Sequence, residues 1–354
     1  MPDRRVLRLR IVLAVLIGVM SAVYAWSSHR ILLADRQLPD SAALWRAARI
    51  IQAGGDPYPV DALNIMPAGE TDLAAWHATI EPLYYPLPAV LLWLPFATDE
   101  FLFGSALFCG LGAALFAFAI SRHALHRLWL CGSVPFIVAL HFGQWSPFLT
   151  AAALLPALAF LCVAKPNLGL PLVLARPTRL VVIGCAAALA LSLAVDADWV
   201  FGWLRNVTGP FGRSAPHPFP LLEPGSLGFL LPLALLRWRR FEARLLFCMA
   251  CVPQLPFWAD QLMLAIVPET RREVIWTVIS GGVAFAAYQV FAPKLQLYVP
   301  VMQPYALIAT YLPALIIVLR RPNVGAMPAI IERAVRYLPE RLRGTATMRL
   351  PDAA

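Results

Sequence analysis

Arg4-Arg5-Val6-Leu7-Arg8-Leu9-Arg10, running on without interruption into an apolar stretch that ends at Trp26, decides the class of fold. Four arginines stand ahead of a segment long enough to cross a bilayer, which is the layout of a helix inserted from its basic side. A signal peptide begins the same way, but no small-residue cleavage site follows cleanly. Ser28-His29-Arg30 and an acidic loop come next, so the segment reads as an uncleaved signal-anchor helix. The rest of the chain agrees with it. Of 354 residues 60% are apolar and 14% charged, with a mean hydropathy of +0.68. Soluble domains hold about 45–50% apolar and about 25% charged residues, so a water-soluble globule, a disordered chain, a coiled coil and a disulfide-stapled secreted domain are all excluded. A polytopic membrane protein remains, with room for about eight to eleven crossings.

The apolar runs fall at 9–26, 83–97, 100–121, 128–142, 147–163, 166–175, 180–203, 225–236, 245–267, 274–292 and 298–319. Several are shorter than the roughly 17 residues of an ordinary crossing, so they are expected to be tilted, re-entrant or paired into broken helices around a cavity. The net charge of +9 comes from arginines at the ends of these runs, a positive-inside pattern and not a nucleic-acid surface. The N-terminus, residues 237–244 and the tail from Arg320, with its seven arginines, are expected in the cytoplasm. Residues 27–82 carry seven acids against four arginines and are expected outside. Arg122 and Arg127 then require 83–97 to be re-entrant or juxtamembrane and 100–121 to be the crossing. On the same logic 128–142 returns outward to Gly143-Gln144-Trp145, and 147–175 is one element broken around Lys165-Pro166. The domain plan is a single transmembrane domain over 1–319, with 27–82 as its external loop, and a basic cytoplasmic tail over 320–354.

Within the external loop, Leu44, Ala47, Ala48 and Ile51 share one face of a helix predicted over 42–53, an interfacial amphipathic element ended by Gly54-Gly55. A second such piece is expected near 328–338. Acids are scarce, which makes their positions informative. Asp40 suits an N-cap and Asp56 a turn, while an external acid beside an apolar cavity also suits a general base. Trp45, Tyr58, Trp76, Tyr84, Tyr85 and Trp93 fit a membrane-interface belt or a sugar-stacking surface. Lys165 lies among apolar residues, facing an anion such as a phosphate or snorkelling from a helix end. Asp260 lies inside another apolar run, and His141 and Gln144 flank a helix end. The six cysteines, Cys248-Met249-Ala250-Cys251 included, read as buried thiols, and no zinc spacing occurs. No phosphate-binding loop, nucleophile elbow or metalloprotease motif is present, which argues against an ATP-driven pump.

The order Asp40, Gly54-Gly55-Asp56-Pro57-Tyr58, Tyr85-Pro86-Leu87-Pro88, Gly143-Gln144, Lys165-Pro166, Asp260 resembles glycosyltransferase family 87, within the GT-C class of polytopic membrane glycosyltransferases. The resemblance spans most of residues 7–319, and its most specific part is Gly-Gly-Asp-Pro-Tyr followed by Tyr-Pro. It departs from the pattern after Asp40, where Ser41-Ala42-Ala43-Leu44-Trp45 replaces the usual aromatic and Tyr, and at Tyr85-Pro86-Leu87-Pro88, where Tyr-Pro-Pro is common. It implies an all-α bundle of about nine to eleven transmembrane or re-entrant helices in a bacterial inner membrane. It also implies inverting transfer of a hexose, mannose above all, from a polyprenyl-phosphate sugar to a lipid or glycan acceptor on the outer face. Asp40 would be the general base, with Asp35 as the competing choice. Lys165 would stabilise the phosphate, and Tyr58, Tyr85, Gln144 and Asp260 would line the site. No cofactor or metal is required, and the partners are the donor, the acceptor and membrane lipids, not nucleic acid. A non-catalytic transporter or flippase for lipid-linked saccharides, or an inactive homologue, fits the same broken helices, although no internal repeat is seen.

Overall fold

The computed structural model describes residues 4–35, 37–59, 82–209, 219–222, 227–253, 258–291, 302–325, 332–333 and 337. All regular structure among them is helical. Three helices are long and apolar enough to cross a membrane: α1 (Arg4–Ala34), α4 (Phe101–Ser121) and Arg271–Phe291. Two bent pairs raise the number to five. A 3₁₀ segment at Leu125–Gly132 meets α5 (Val134–Phe142) at 58°, and α8 (Arg179–Val195) meets α9 (Trp199–Thr208) at 100°. The other apolar runs form shorter pieces: α3 (Leu87–Trp93), α6 (Ser146–Leu154), α7 (Pro166–Ala175), α10 (Phe241–Ala250), and 3₁₀ segments at Pro156–Val163, Gly228–Arg237 and Trp258–Ile266. Proline explains much of the breakage. Pro88, Pro135, Pro147 and Pro166 each stand in the first turn of a helix, where the missing N–H costs nothing, and Lys165 before Pro166 is held in extended geometry. The span expected at 180–203, which holds no proline, is two helices at about a right angle, with Asp196 Oδ1 accepting the Asp198 N–H at the corner.

Large apolar side chains face outward. Met20, Ile183 and Trp276 are 71%, 64% and 70% exposed, and Arg271–Phe291, here α11, buries only Val274 and Gly281. Lipid is the natural cover for such a surface. The centre is filled by α4, α6 and Trp258–Ile266, whose nine residues are all buried. α1 and α4 cross so closely that a Cβ on Gly110 would lie 2.9 Å from Ala22 Cβ, and one on Gly18 would lie 2.9 Å from both Ala114 Cβ and the Gly110 carbonyl. Small residues four apart on both helices permit that approach. Gly110→Leu is expected to destabilise the protein by about 1–3 kcal/mol through overpacking. Gly282→Leu, where a Cβ meets nothing within 4 Å, serves as the control in a detergent thermal melt.

Polar groups gather at two ends. At one, Arg321 pairs with Glu242, Glu269 and Glu273, Arg240 pairs with Glu242 and Glu269, His126 reaches the Glu269 carbonyl at 2.8 Å, and Arg127 donates to the Ala265 and Ile266 carbonyls. The basic groups of 122–127, 237–244, 271–272 and 320–321 thus share one end, with Arg10 in electrostatic reach of His123. At the other end His29 of α1 meets Ser105 of α4 at 3.0 Å. Arg10 and His29 are separated by about 28 Å of helix, close to the thickness of a hydrocarbon core.

α2 (Ser41–Gln52) forms as expected and ends in a left-handed Gly54. Its apolar face meets protein and not lipid. Leu44, Trp45, Ala47 and Ala48 are fully buried, and the Trp45 indole donates to the Thr98 carbonyl at 2.9 Å. Trp76, the acids Asp61, Glu70, Asp72 and Glu81, most of the tail and all but residues 332, 333 and 337 of the second amphipathic piece at 328–338 lie outside the described residues.

Candidate functional site

Asp40 precedes α2 in the N-cap position but does not cap it. Its backbone is already helical (φ −57°, ψ −28°), no side-chain capping bond forms, and a carboxylate oxygen instead accepts from Gln144 Nε2. The capping alternative is thereby set aside. Gln144 is delivered by the end of α5. Gly143 takes φ +64°, the Gly143 N–H bonds the Leu140 carbonyl, and the Gln144 N–H bonds the Ala139 carbonyl at 2.8 Å. This paired closure of the last turn needs a residue without a Cβ at the left-handed position.

Lys165 precedes α7, with Pro166 fixing the first helical residue. Its ammonium donates to Gln144 Oε1 at 2.7 Å and to Asp260 Oδ1 at 2.6 Å. Asn167 Nδ2 donates to the other oxygen of Asp260 at 3.1 Å. Lys165, Asp260 and Gln144 are buried, and Asp40 is half-buried. An ammonium has no acceptor, so Gln144 must turn its oxygen to Lys165 and its NH₂ to Asp40. The direction of the chain Asp260–Lys165–Gln144–Asp40 is fixed by that one constraint.

Asp40 and Lys165 each stand immediately before a helix, Gln144 two residues before α6, and Asp260 in the first turn of Trp258–Ile266. Helix starts carry partial positive charge. The starts of α2 and α7 lie beside the polar chain.

Tyr85 stands near the group. Burial, then the Asp40 carboxylate, then that of Asp260 push its hydroxyl pKa well above the ordinary 10.0, so it stays a proton donor within electrostatic reach of both acids. Tyr58 does not join the chain. Its hydroxyl donates to the Tyr85 carbonyl at 3.1 Å, and burial, with Asp196 and Asp56 nearby, raises its pKa also. Asn206 Nδ2 of α9 donates to the Tyr58 and Leu83 carbonyls, tying the Gly54–Tyr58 and Tyr85–Pro88 stretches together. Asp56 holds the Tyr58 N–H at 2.9 Å, the turn role expected of it.

These two tyrosines give a pH prediction. Their folded pKa values are raised, so above about pH 10 the unfolded chain releases protons that the folded chain keeps. Stability is full below that pH and falls above it. An alkaline unfolding series should show the loss in wild type and a smaller one in Tyr58→Phe/Tyr85→Phe.

The belt reading of the aromatics is corrected in part. Trp45, Trp93 and Tyr58 are buried in protein, and Trp93, Phe108, Trp145 and Phe148 form a ring cluster, with Phe108 4.9 Å from Trp145. Tyr84 is exposed. Asp35 is exposed at the end of α1 and takes no part in the chain. His141 bonds Ser28 of α1. All six cysteines are free thiols. Among the described residues no group of three His, Cys, Asp or Glu side chains could hold a metal ion. Beyond Tyr58 an open pocket of about 510 Å³ lies between Asp56, Asp196, Asp198, Trp199 and Arg205.

Four of the six expected site residues thus meet in one hydrogen-bonded chain, from segments as distant as 40 and 260, and Tyr85 lies within electrostatic reach of it. Sequence reasoning missed the parts played by Asn167, which follows Lys165-Pro166, and by Asn206. It also missed His29, whose one signal was a lone imidazole inside an apolar helix.

No family model, no curated protein and no solved structure matches the chain.

Proposed function

We propose that the protein is an inverting membrane glycosyltransferase that moves a hexose, mannose above all, from a polyprenyl-phosphate sugar to a lipid or glycan acceptor. The reading places it in a bacterial inner membrane with Asp40 at the outer face. Its short and broken helices then count as re-entrant or crossing elements of a GT-C type bundle of about nine to eleven. The observation that carries it is the chain Asp260–Lys165–Gln144–Asp40, a half-buried carboxylate linked through one amide to a buried ammonium.

Each group has a task in this scheme. Asp40 takes the proton of an acceptor hydroxyl. The hydroxyl oxygen bonds the anomeric carbon, and the bond from that carbon to the phosphate oxygen breaks, the electron pair leaving with the polyprenyl phosphate. Lys165 spends two of its three donors on Gln144 and Asp260, and the third serves the phosphate. Tyr85, kept protonated, adds a donor. The proton gained by Asp40 matches the negative charge gained by the leaving phosphate, so the net charge of the site is constant through the step. The open pocket beyond Tyr58 suits the hydroxyl-rich part of an acceptor, because carboxylates accept sugar hydroxyls.

The test is transfer of radiolabelled sugar by the purified protein from a panel of polyprenyl-phosphate sugars to a crude lipid and glycan mixture. Transfer is expected. Its absence from folded protein across the panel overturns the reading.

A further inference from the structure

His29 is fully buried and holds the segments that carry Asp40 and Gln144. Its Nε2 lies 3.0 Å from the Leu140 carbonyl, in the last turn of α5, four residues before Gln144. Its Nδ1 lies 3.0 Å from Ser105 Oγ, and Ser105 Oγ lies 2.8 Å from Ser41 Oγ, on the residue that follows Asp40. Ser41 and Ser105 are also fully buried. The carbonyl can only accept, so Nε2 carries a proton. In the neutral imidazole Nδ1 is then the acceptor, Ser105 must donate to it, and Ser41 must donate to Ser105. One direction of hydrogen bonding satisfies every member.

The same imidazole therefore grips the last turn of α5 on one side and, through two hydroxyls, the first residue of α2 on the other. Those are the two ends of the Asp40–Gln144 contact. The fit is close. A Cβ on Gly143 would collide with the Ser41 side chain and lie 3.6 Å from His29 Cε1.

We propose that His29, Ser105 and Ser41 are positioning residues that hold the Asp40 carboxylate against Gln144. The function is relayed from α1 and α4, helices that contribute no residue to the polar chain itself. The proposal deepens the transferase reading and rests on it for its kinetic outcome, but not for its spectroscopic one.

The experiment uses the full chain in lipid nanodiscs. With ¹⁵N-histidine and ¹³C-aspartate labels, His29 is expected as the neutral Nε2–H tautomer. Ser105→Ala should shift both its Nδ1 signal and the carboxyl carbon of Asp40, assigned by its loss in Asp40→Asn. In the transfer assay Ser105→Ala should lower kcat about tenfold to a hundredfold with the donor KM unchanged, the pattern of a misplaced reacting group. His29→Gln, which keeps one donor and one acceptor, should recover activity that His29→Phe loses. An Asp40 carbon signal unmoved by Ser105→Ala, or an Nδ1–H tautomer or imidazolium at His29, overturns the proposal whether or not the protein transfers sugar. An Asp40 signal shifted by Ser105→Ala, alongside a wild type that transfers nothing, supports the positioning role and overturns the transferase reading alone.

Discussion

Asp40→Asn is expected to abolish sugar transfer, a fall of about a thousandfold or more, while expression, insertion and melting temperature stay at wild-type values. Asparagine keeps the size of the side chain and an oxygen that can accept from Gln144 Nε2, so the contact that fixes the start of α2 survives. What it loses is the capacity to take a proton. Asp35→Asn should transfer at the wild-type rate, because Asp35 is exposed at the end of α1 and outside the polar chain. Initial rates with one labelled donor decide both. Transfer retained by Asp40→Asn at normal expression would remove Asp40 as the base, and loss in Asp35→Asn alone would move that role upstream.

The second large effect concerns the buried ion pair. Lys165→Met leaves Asp260, with no exposed surface at all, bonded to Asn167 without a cation. Breaking a buried pair from one side costs about 3–5 kcal/mol, since the remaining charge has lost both water and partner. The melting temperature in detergent should fall sharply. Lys165→Met/Asp260→Leu removes both charges and should recover most of that loss, because a well-packed apolar pair costs no ionic desolvation. Transfer should not return in the double variant, since the ammonium assigned to the phosphate is gone. A single variant as stable as wild type would show that the pair is not buried in the native protein. A double variant that transfers sugar would separate Lys165 from the chemistry.

Much of this site was legible in the sequence because polar residues are conspicuous in an apolar chain. Lys165 and Asp260 stood out as charges inside runs that should hold none, and α2 announced itself through the spacing of Leu44, Ala47, Ala48 and Ile51. Burial of that face was less legible. The same periodicity describes a helix lying on lipid and one lying on protein, and only the placement of α3 and α4 beneath it decides. The breaks were legible where proline caused them and not in their angle: nothing in 180–203 marks a right-angled turn except Asp196-Ala197-Asp198. The hydroxyls of Ser41 and Ser105 were invisible for a plainer reason. Serine is common in apolar helices, where it bonds its own backbone, as Ser121 and Ser192 do here. Its use as a link between helices depends on what stands opposite.

The right-angled turn between α8 and α9 carries a mechanical consequence. If α8 runs along the bilayer normal, the turn lays α9 flat, with Phe201, Leu204 and Val207 turned outward as a keel into the acyl boundary. Asn206, facing the other way, is moored to the carbonyls of Tyr58 and Leu83. Leu83, Leu87, Val90 and Trp93 seat the Tyr85 segment in the core. A bilayer too thick or too thin for α9 therefore pulls on the Asn206 mooring, and through it loads the site's edge without touching a residue of the polar chain.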